Sequence, residues 1–254
     1  MMLQEKIKQL TTKYKNEFVD VRHHLHANPE LSYQEFETSK FVQQKLSEFG
    51  IEFTVMATTG VVGIIKGNNP DSRVIALRAD MDALPNDFPD NVTFKSITKN
   101  VQHGCGHDVH MTIALGIAEV LSKKKTELKG TVYFIFQPEE ESFTGAKGIV
   151  ENQKFSKLKL NEIYGLHITP FPTGQIIVKA NEMYAYQKGV RLQFNKDMGK
   201  EQLNELYAPD IAIIINQLNV EEASYLYELI NDELAADVLL ELDDDKREQL
   251  LSTF

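Results

Sequence analysis

Cysteine is almost absent from this sequence: among 254 residues, Cys105 is the only one. A lone thiol forms no internal disulfide, which excludes a disulfide-stapled scaffold and leaves Cys105 free for other chemistry. Long apolar runs are also missing, and nothing approaches the roughly 20 residues needed to span a bilayer. The opening MMLQEKIKQLTTKYKNEF is polar and charged and lacks the apolar stretch of a secretory signal, so a cytoplasmic protein is expected. Positive charge is short as well, with 27 basic residues against 37 acidic ones and a net charge of −10, which argues against nucleic acid as a partner.

The absences are uneven along the chain. No glycine follows Gly199, no histidine follows His167, and Pro209 is the only proline beyond residue 200. From Lys200 to Phe254, 14 acidic residues face three basic ones, whereas residues 1–199 are nearly neutral, with 23 acids and 24 bases. Composition breaks near residue 199, and two domains are expected, 1–197 and 198–254.

What is present suits folded domains, with 42% apolar and 25% charged residues. Helical spacing runs over about 3–26 and 33–49, with Asn28-Pro29 turning the chain between them and Gly50 as a stop. The β-branched runs IEFTVM, GVVGIIKG and RVIALRAD read as strands, the last two separated by a hairpin-like turn at 67–71. A helix over 108–124, a buried strand over 130–137, a helix near 145–153 and a strand near 162–168 complete an alternation of strands and helices. That pattern predicts an α/β fold, a mixed sheet covered by helices, with its site at the strand ends. Beyond 200, Leu, Ile and Ala recur at spacings of three and four. Asn219 before VEEA and Asn231 before DELA read as N-caps followed by acids in the first turn. A small all-α helical-hairpin domain of helices about 10 residues long is expected there.

Five short stretches carry candidate chemistry. HGCGHDVH, residues 103–110, sets Cys105 and His107 two positions apart, and a thiolate and an imidazole suit zinc and similar divalent ions. Gly104 and Gly106 give the backbone freedom to aim both side chains at one point, and Asp108 is placed to cap the following helix. A turn with surface histidines fits the same residues. FQPEEES, 136–142, ends an apolar strand in three carboxylates, Glu139, Glu140 and Glu141. It reads either as a solvated acidic loop or as a metal ligand beside a general base. LRADMDALP, 77–85, brings Asp80 and Asp82 to one face of a strand end, as turn chemistry or as buried carboxylates needing a cation. In GLHITP, 165–170, His167 is a core histidine or a ligand. In VRHHLHANPELS, 21–32, His23, His24 and His26 close a helix, and His23 and His24 read as complements to its C-terminal dipole. Together, four strand ends or adjoining loops deliver metal-type ligands, which outweighs any single motif.

The ordered series LHANPELS, RADMDALP, HGCGHDVH, FQPEEES and GLHITP closely resembles the zinc-peptidase family of aminoacylases and N-acyl-amino-acid amidohydrolases, in the branch of hippurate hydrolases, N-acetyldiaminopimelate deacetylases and indole-acetyl-amino-acid hydrolases. The resemblance runs from about residue 5 to 194. It implies two divalent metal ions (zinc or manganese, with cobalt or nickel as alternatives) and metal ligands Cys105, His107, Glu141 and His167. It further implies Glu140 as general base, Asp82 as a supporting catalytic residue, and Asp80 in the same active-site motif. The activity implied is metal-assisted hydrolysis of an N-acyl amino acid or a short peptide-like amide. Glu139 stands where the family usually has a small residue.

Two departures shape the expectation. The family carries a later metal-binding histidine, which is missing here, and the likeness stops after KGVRLQF, where the family's lid domain begins. An under-ligated site, a half-built cleft and no family-type dimer are expected in consequence. Residues 204–254 resemble instead the N-terminal helical domain of MgtE-type magnesium transporters, whose acidic residues take part in magnesium sensing. That resemblance implies an alternative, a catalytically inactive metal-binding or magnesium-sensing chain.

Overall fold

The computed structural model describes residues 3–181 and 203–253. The chain divides into two compact units, Met1–Gln175 and Ile176–Phe254. The boundary expected at 197/198 and the KGVRLQF stretch lie outside the described residues.

The first unit holds a five-stranded mixed sheet: β1 Glu52–Met56, β2 Gly60–Lys66, β3 Val74–Asp80, β4 Thr131–Gln137 and β5 Glu162–Gly165, in the order β1-β2-β4-β3-β5. β2 pairs antiparallel with β1 and β4, while β3 runs parallel to β4 and β5. Asp80 pairs with Gln137, and Arg78 with both Ile135 and Gly165. The three parallel strands therefore end at one edge, and the loops following them emerge together there.

Period-two alternation divides the sheet's two faces. Val61, Ile65, Phe134 and Phe136 point to one side, where Val21 and Leu25 of α1 (Leu3–Ala27), Val42 and Leu46 of α2 (Phe36–Glu48), and Met111 and Leu115 of α3 (His107–Ser122) complete the main core. Each such side chain contributes about 1.5–3 kcal/mol by leaving water. Gly63 shares this face, and a Cβ there would lie 3.2 Å from Leu46 Cδ1, so the glycine lets α2 settle close. Val62, Ala76 and Ile135 face the other way. They form a smaller cluster with Met56 and Ile149, the latter on α4 (Gly145–Val150), and a short 3-10 turn at Phe155–Leu158 packs beside them.

The expected hairpin at 67–71 is not one. β4 lies between β2 and β3. The turn packs on the start of β4 instead: the Gly67 N–H donates to the Gly130 carbonyl at 2.9 Å, and a Cβ on Gly67 would sit 2.5 Å from the Leu128 oxygen. β2 is buried along most of its length and takes a neighbour on each side. β5 is shorter than expected and mostly exposed, so His167 stands in the loop after the strand.

In the second unit, α5 (Ala208–Gln217), α6 (Val220–Leu229), α7 (Asp232–Glu241) and α8 (Asp244–Leu251) bury their own core around Ile211, Ile215, Leu226, Val238 and Leu250. Asn219 caps α6 in a capping box with Glu222, and the Asn231 side chain accepts the Leu234 N–H, both as the sequence predicts. Asn204 Oδ1 accepts the Asn231 N–H at 2.7 Å, and Asn216 Oδ1 accepts the Asp243 N–H at 3.2 Å, the same bond one helix later. Among the described residues no helix is long and apolar enough to cross a membrane.

Candidate metal centre

Each of the three parallel strands, β3, β4 and β5, delivers one part of the site at its end. β3 ends at Asp80, and the chain runs on through Met81, whose N–H donates to the Gln137 carbonyl at 2.9 Å, to deliver Asp82. Asp80 and Asp82 are both buried. The loop after β4 carries Glu139, Glu140 and Glu141, and the loop after β5 carries His167. α3 begins at His107, directly after Gly106, which stands at φ 82° in the left-handed region that glycine tolerates. Its N-terminus opens toward the same edge.

His107 is the hub. Its ring is fully buried, and Nδ1 lies 2.8 Å from the Asp82 carbonyl oxygen and 3.3 Å from Asp82 Oδ1. Nδ1–H therefore donates to Asp82, which fixes the tautomer and leaves the Nε2 lone pair free. Nε2 points at Glu140 (3.8 Å) and Glu141 (3.9 Å). Cys105 Sγ lies 3.2 Å from His167 Nε2. Donor atoms of Cys105, His107 and His167 lie within 4.8 Å of one another, as do those of His107, Glu140 and Glu141, and of Asp80, His107 and His110. The fold thus brings together every residue that the sequence singles out for the site.

A supporting layer surrounds these groups. Asp82 Oδ2 accepts the Ser32 hydroxyl at 2.6 Å and the Glu141 N–H at 3.0 Å. Glu35 is fully buried, accepting the Glu139 N–H at 2.9 Å and the Thr59 hydroxyl at 3.0 Å. Glu139 itself stands at φ 56°, so the Glu35 carboxylate holds a strained turn of the acidic loop. Arg78 pairs with Asp80 and donates from Nε to Gln137 Oε1 at 3.0 Å.

Sequence reasoning assigned no role to Ser32, Glu35 or His110. His110 carried a visible signal: it lies three positions after His107, on the same helical face. Asp108 is not the helix cap, since Gly106 holds that position. Instead Asp108 Oδ2 pairs with His26 Nδ1 (2.7 Å) and Arg22 Nε (3.1 Å), tying α3 to α1. His23 stacks on Phe94 and His24 on Phe41, so both serve packing.

Electrostatics follow from this crowding. Burial pushes the Glu140 carboxyl above its ordinary range, and the charge of Asp80 adds to the effect. Burial pushes the Cys105 thiol up to about 12, and Glu141 beside it adds to the rise. Burial alone would also raise Asp82, but hydrogen bonds from His107, Ser32 and the Glu141 N–H outweigh it and hold the carboxyl low. For His107 burial favours the neutral ring, yet Asp82 and the surrounding carboxylates pull its pKa upward. A thiol, imidazoles and carboxylates packed this closely suit a cation, whose charge makes the thiolate and offsets the carboxylate repulsion. Buried His107 Nε2 and Glu141 Oε1 have no hydrogen-bond partner, as ligand atoms awaiting an ion would. The donor set, soft sulfur with nitrogen and oxygen, fits zinc or a similar divalent ion.

A mixed sheet that delivers such donors to the shared edge of its parallel strands is laid out as an α/β metal-binding domain. The sequence profile described as "Peptidase family M20/M25/M40" matches residues 76–242, and the chain belongs to this family. It is similar to a hippurate hydrolase of Campylobacter jejuni, 44% identical over 156 residues, which covers 61% of this chain and 40% of the relative. It is also similar to thermostable carboxypeptidase 2 of Saccharolobus solfataricus, 40% identical over 190 residues, 73% of this chain and 48% of the relative. Among solved structures, the YXEP protein of Bacillus subtilis, described as a dinuclear metal-binding peptidase of the M20 family, superposes with a TM-score of 0.58 at 40% identity. That match covers 63% of this chain and 44% of the other. The chain spans under half the length of these relatives.

Proposed function

We propose that the α/β unit carries the metal-binding and general-base groups of a hydrolase that cleaves amide bonds of N-acyl amino acids or short peptide-like substrates. One observation carries the reading: His107 Nε2, its other nitrogen held by Asp82, faces Glu140 and Glu141 while Cys105 and His167 converge beside it. Cys105, His107, Glu141 and His167 would hold the ions. When bound, the ions would supply an activated water and polarise the amide carbonyl.

The chain's own residues do the rest. Glu140, part-buried and with its pKa raised, takes a proton from the attacking water and passes it to the departing amine nitrogen. Asp82 holds the His107 tautomer and, through its bond to the Glu141 N–H, the position of the acidic loop. Asp80, buried at the end of β3, pairs with Arg78 and faces His110.

The domain division at 197/198 belongs to the same proposal, with the acidic helical segment as a separate unit. The alternative of a magnesium-sensing chain is weaker. Among the described residues, every cluster of three or more ligand-type side chains able to share an ion lies in the α/β unit.

The test is to measure bound metal per chain and amine release from a panel of N-acyl amino acids with added zinc, manganese or cobalt. Metal binding with turnover that disappears in Glu140→Ala supports the proposal. Turnover unchanged in that variant refutes it.

A further inference from the structure

The loop that carries His167 is weakly held by its own strand. β5 has four residues, mostly exposed, and Gly165 ends it two positions before the histidine. The ring's Nδ1 lies 2.6 Å from the Ile168 carbonyl oxygen, so the position of Ile168 bears directly on where the ring sits beside Cys105.

We infer that His110 is a positioning residue of the metal centre, bridging Asp80 at the end of β3 to the backbone of Ile168 and so holding His167 in place. The inference rests on the metal-centre reading above.

His110 lies on α3, buried, one turn after His107. Its Nε2 accepts the Ile168 N–H at 3.2 Å. That bond uses the ring's one lone pair, so the proton sits on Nδ1, which faces Asp80 Oδ2 at 3.4 Å. Nε2 is thereby engaged by the Ile168 N–H, while Nδ1 stands at ion-pair distance from Asp80 without a hydrogen bond of its own. Asp80, His107 and His110 gather at one place, and the bond from the Ile168 N–H is what gives His110 its supporting part there.

The anchor behind His110 is stiff. Asp80 pairs with Arg78, which in turn bonds Gln137 on the neighbouring strand. The His110 ring is wedged between the rings of His107 (centroids 5.1 Å apart) and His167 (4.7 Å). A second contact fixes Ile168 from its side chain: a Cβ on Gly106 would fall 2.1 Å from Ile168 Cδ1, so this glycine gives Ile168 its seat on the first turn of α3. Ile168 is therefore held by backbone and by side chain, and His167, one residue earlier, has little freedom left.

The test compares the whole 254-residue chain with its His110→Gln, His110→Asn and His110→Ala variants. Glutamine can offer an oxygen near the Nε2 position, whereas the shorter asparagine cannot reach Ile168. Cobalt(II) titration reads affinity, with the thiolate-to-cobalt absorbance reporting Cys105. Hydrogen exchange of the Ile168 amide in the metal-free chain reads the bridge itself. The expected result is cobalt affinity within a few-fold of wild type for Gln, and a loss of about 10–100-fold for Asn and Ala. The Ile168 amide is expected to be protected in wild type and Gln and fast in Asn and Ala. Gln as impaired as Ala would mean that His110 is a ligand, and Ala as tight as wild type would mean that it has no role; either overturns the inference. If Ala fails to fold, the Gln and Asn pair decides. A wild type that takes no cobalt counts against the metal centre, and Ile168 exchange then still decides the bridge.

Discussion

Cys105 Sγ lies 3.2 Å from His167 Nε2 although the two are 62 positions apart in sequence. The parallel pairing of β3 with β4 and β5 produces this meeting. It collects the loops after three strands at one edge, where α3 also starts.

If Glu140 is the proton carrier, Glu140→Gln removes its basicity and keeps its shape. Amine release is expected to fall by about 10²–10⁴-fold, with bound metal per chain unchanged. Elemental analysis beside the rate assay checks both.

Ser32 is not a proposed ligand, yet its hydroxyl donates to Asp82 at 2.6 Å. Ser32→Ala is expected to lower metal affinity or activity by about 10–100-fold, the usual effect of losing a supporting hydrogen bond. A competition titration against a metal-sensitive dye measures it, and an affinity equal to wild type would show that Asp82 needs no such donor.

Gly145 lies under the acidic loop, and a Cβ there would fall 1.7 Å from the Pro138 oxygen. Gly145→Ala is expected to force the PEEES turn away, at a cost of about 1–3 kcal/mol in stability, with lower activity as Glu140 moves. Urea unfolding supplies the stability and the rate assay the rest.

Glu119 is buried on α3, Oε2 without a hydrogen-bond partner, and burial raises its pKa above the ordinary carboxyl value. The folded chain then holds a proton that the unfolded chain loses first. Stability is therefore undiminished at pH values below the unfolded pKa, and Glu119 subtracts from it as pH rises through the folded pKa. Glu119→Gln is expected to melt higher than wild type at pH 7, with the gap closing near pH 4. Melting curves at the two values check the sign.

Much of this was legible in the sequence, for identifiable reasons. The strand at 130–137 and the helix after His107 declare themselves by the density and spacing of their apolar residues. Asn219 and Asn231 announce α6 and α7 because an N-cap is a local device. The ligand-type residues stand out because thiol, imidazole and carboxylate seldom gather in so few positions. What was not legible is non-local. The insertion of β4 between β2 and β3 depends on a close approach of Gly67 to Leu128, 61 positions away. Asp108 resembles a helix cap by position, yet its partners Arg22 and His26 come from α1. Glu35 and Ser32 look like ordinary polar residues of a turn, and only the folded loop shows what they hold. His110 sat in plain view at helical spacing from His107; its partner is a backbone amide, and no side-chain pattern reveals that.

The claim on which the account depends is that a sulfur ligand and nitrogen and oxygen ligands from three loops share the same ions. X-ray absorption at the zinc edge of the zinc-loaded chain tests it most directly. The account predicts a sulfur scatterer at about 2.3 Å together with nitrogen or oxygen neighbours at about 2.0–2.2 Å, with the sulfur signal gone in Cys105→Ser. A zinc environment of nitrogen and oxygen alone in the unaltered chain would contradict it.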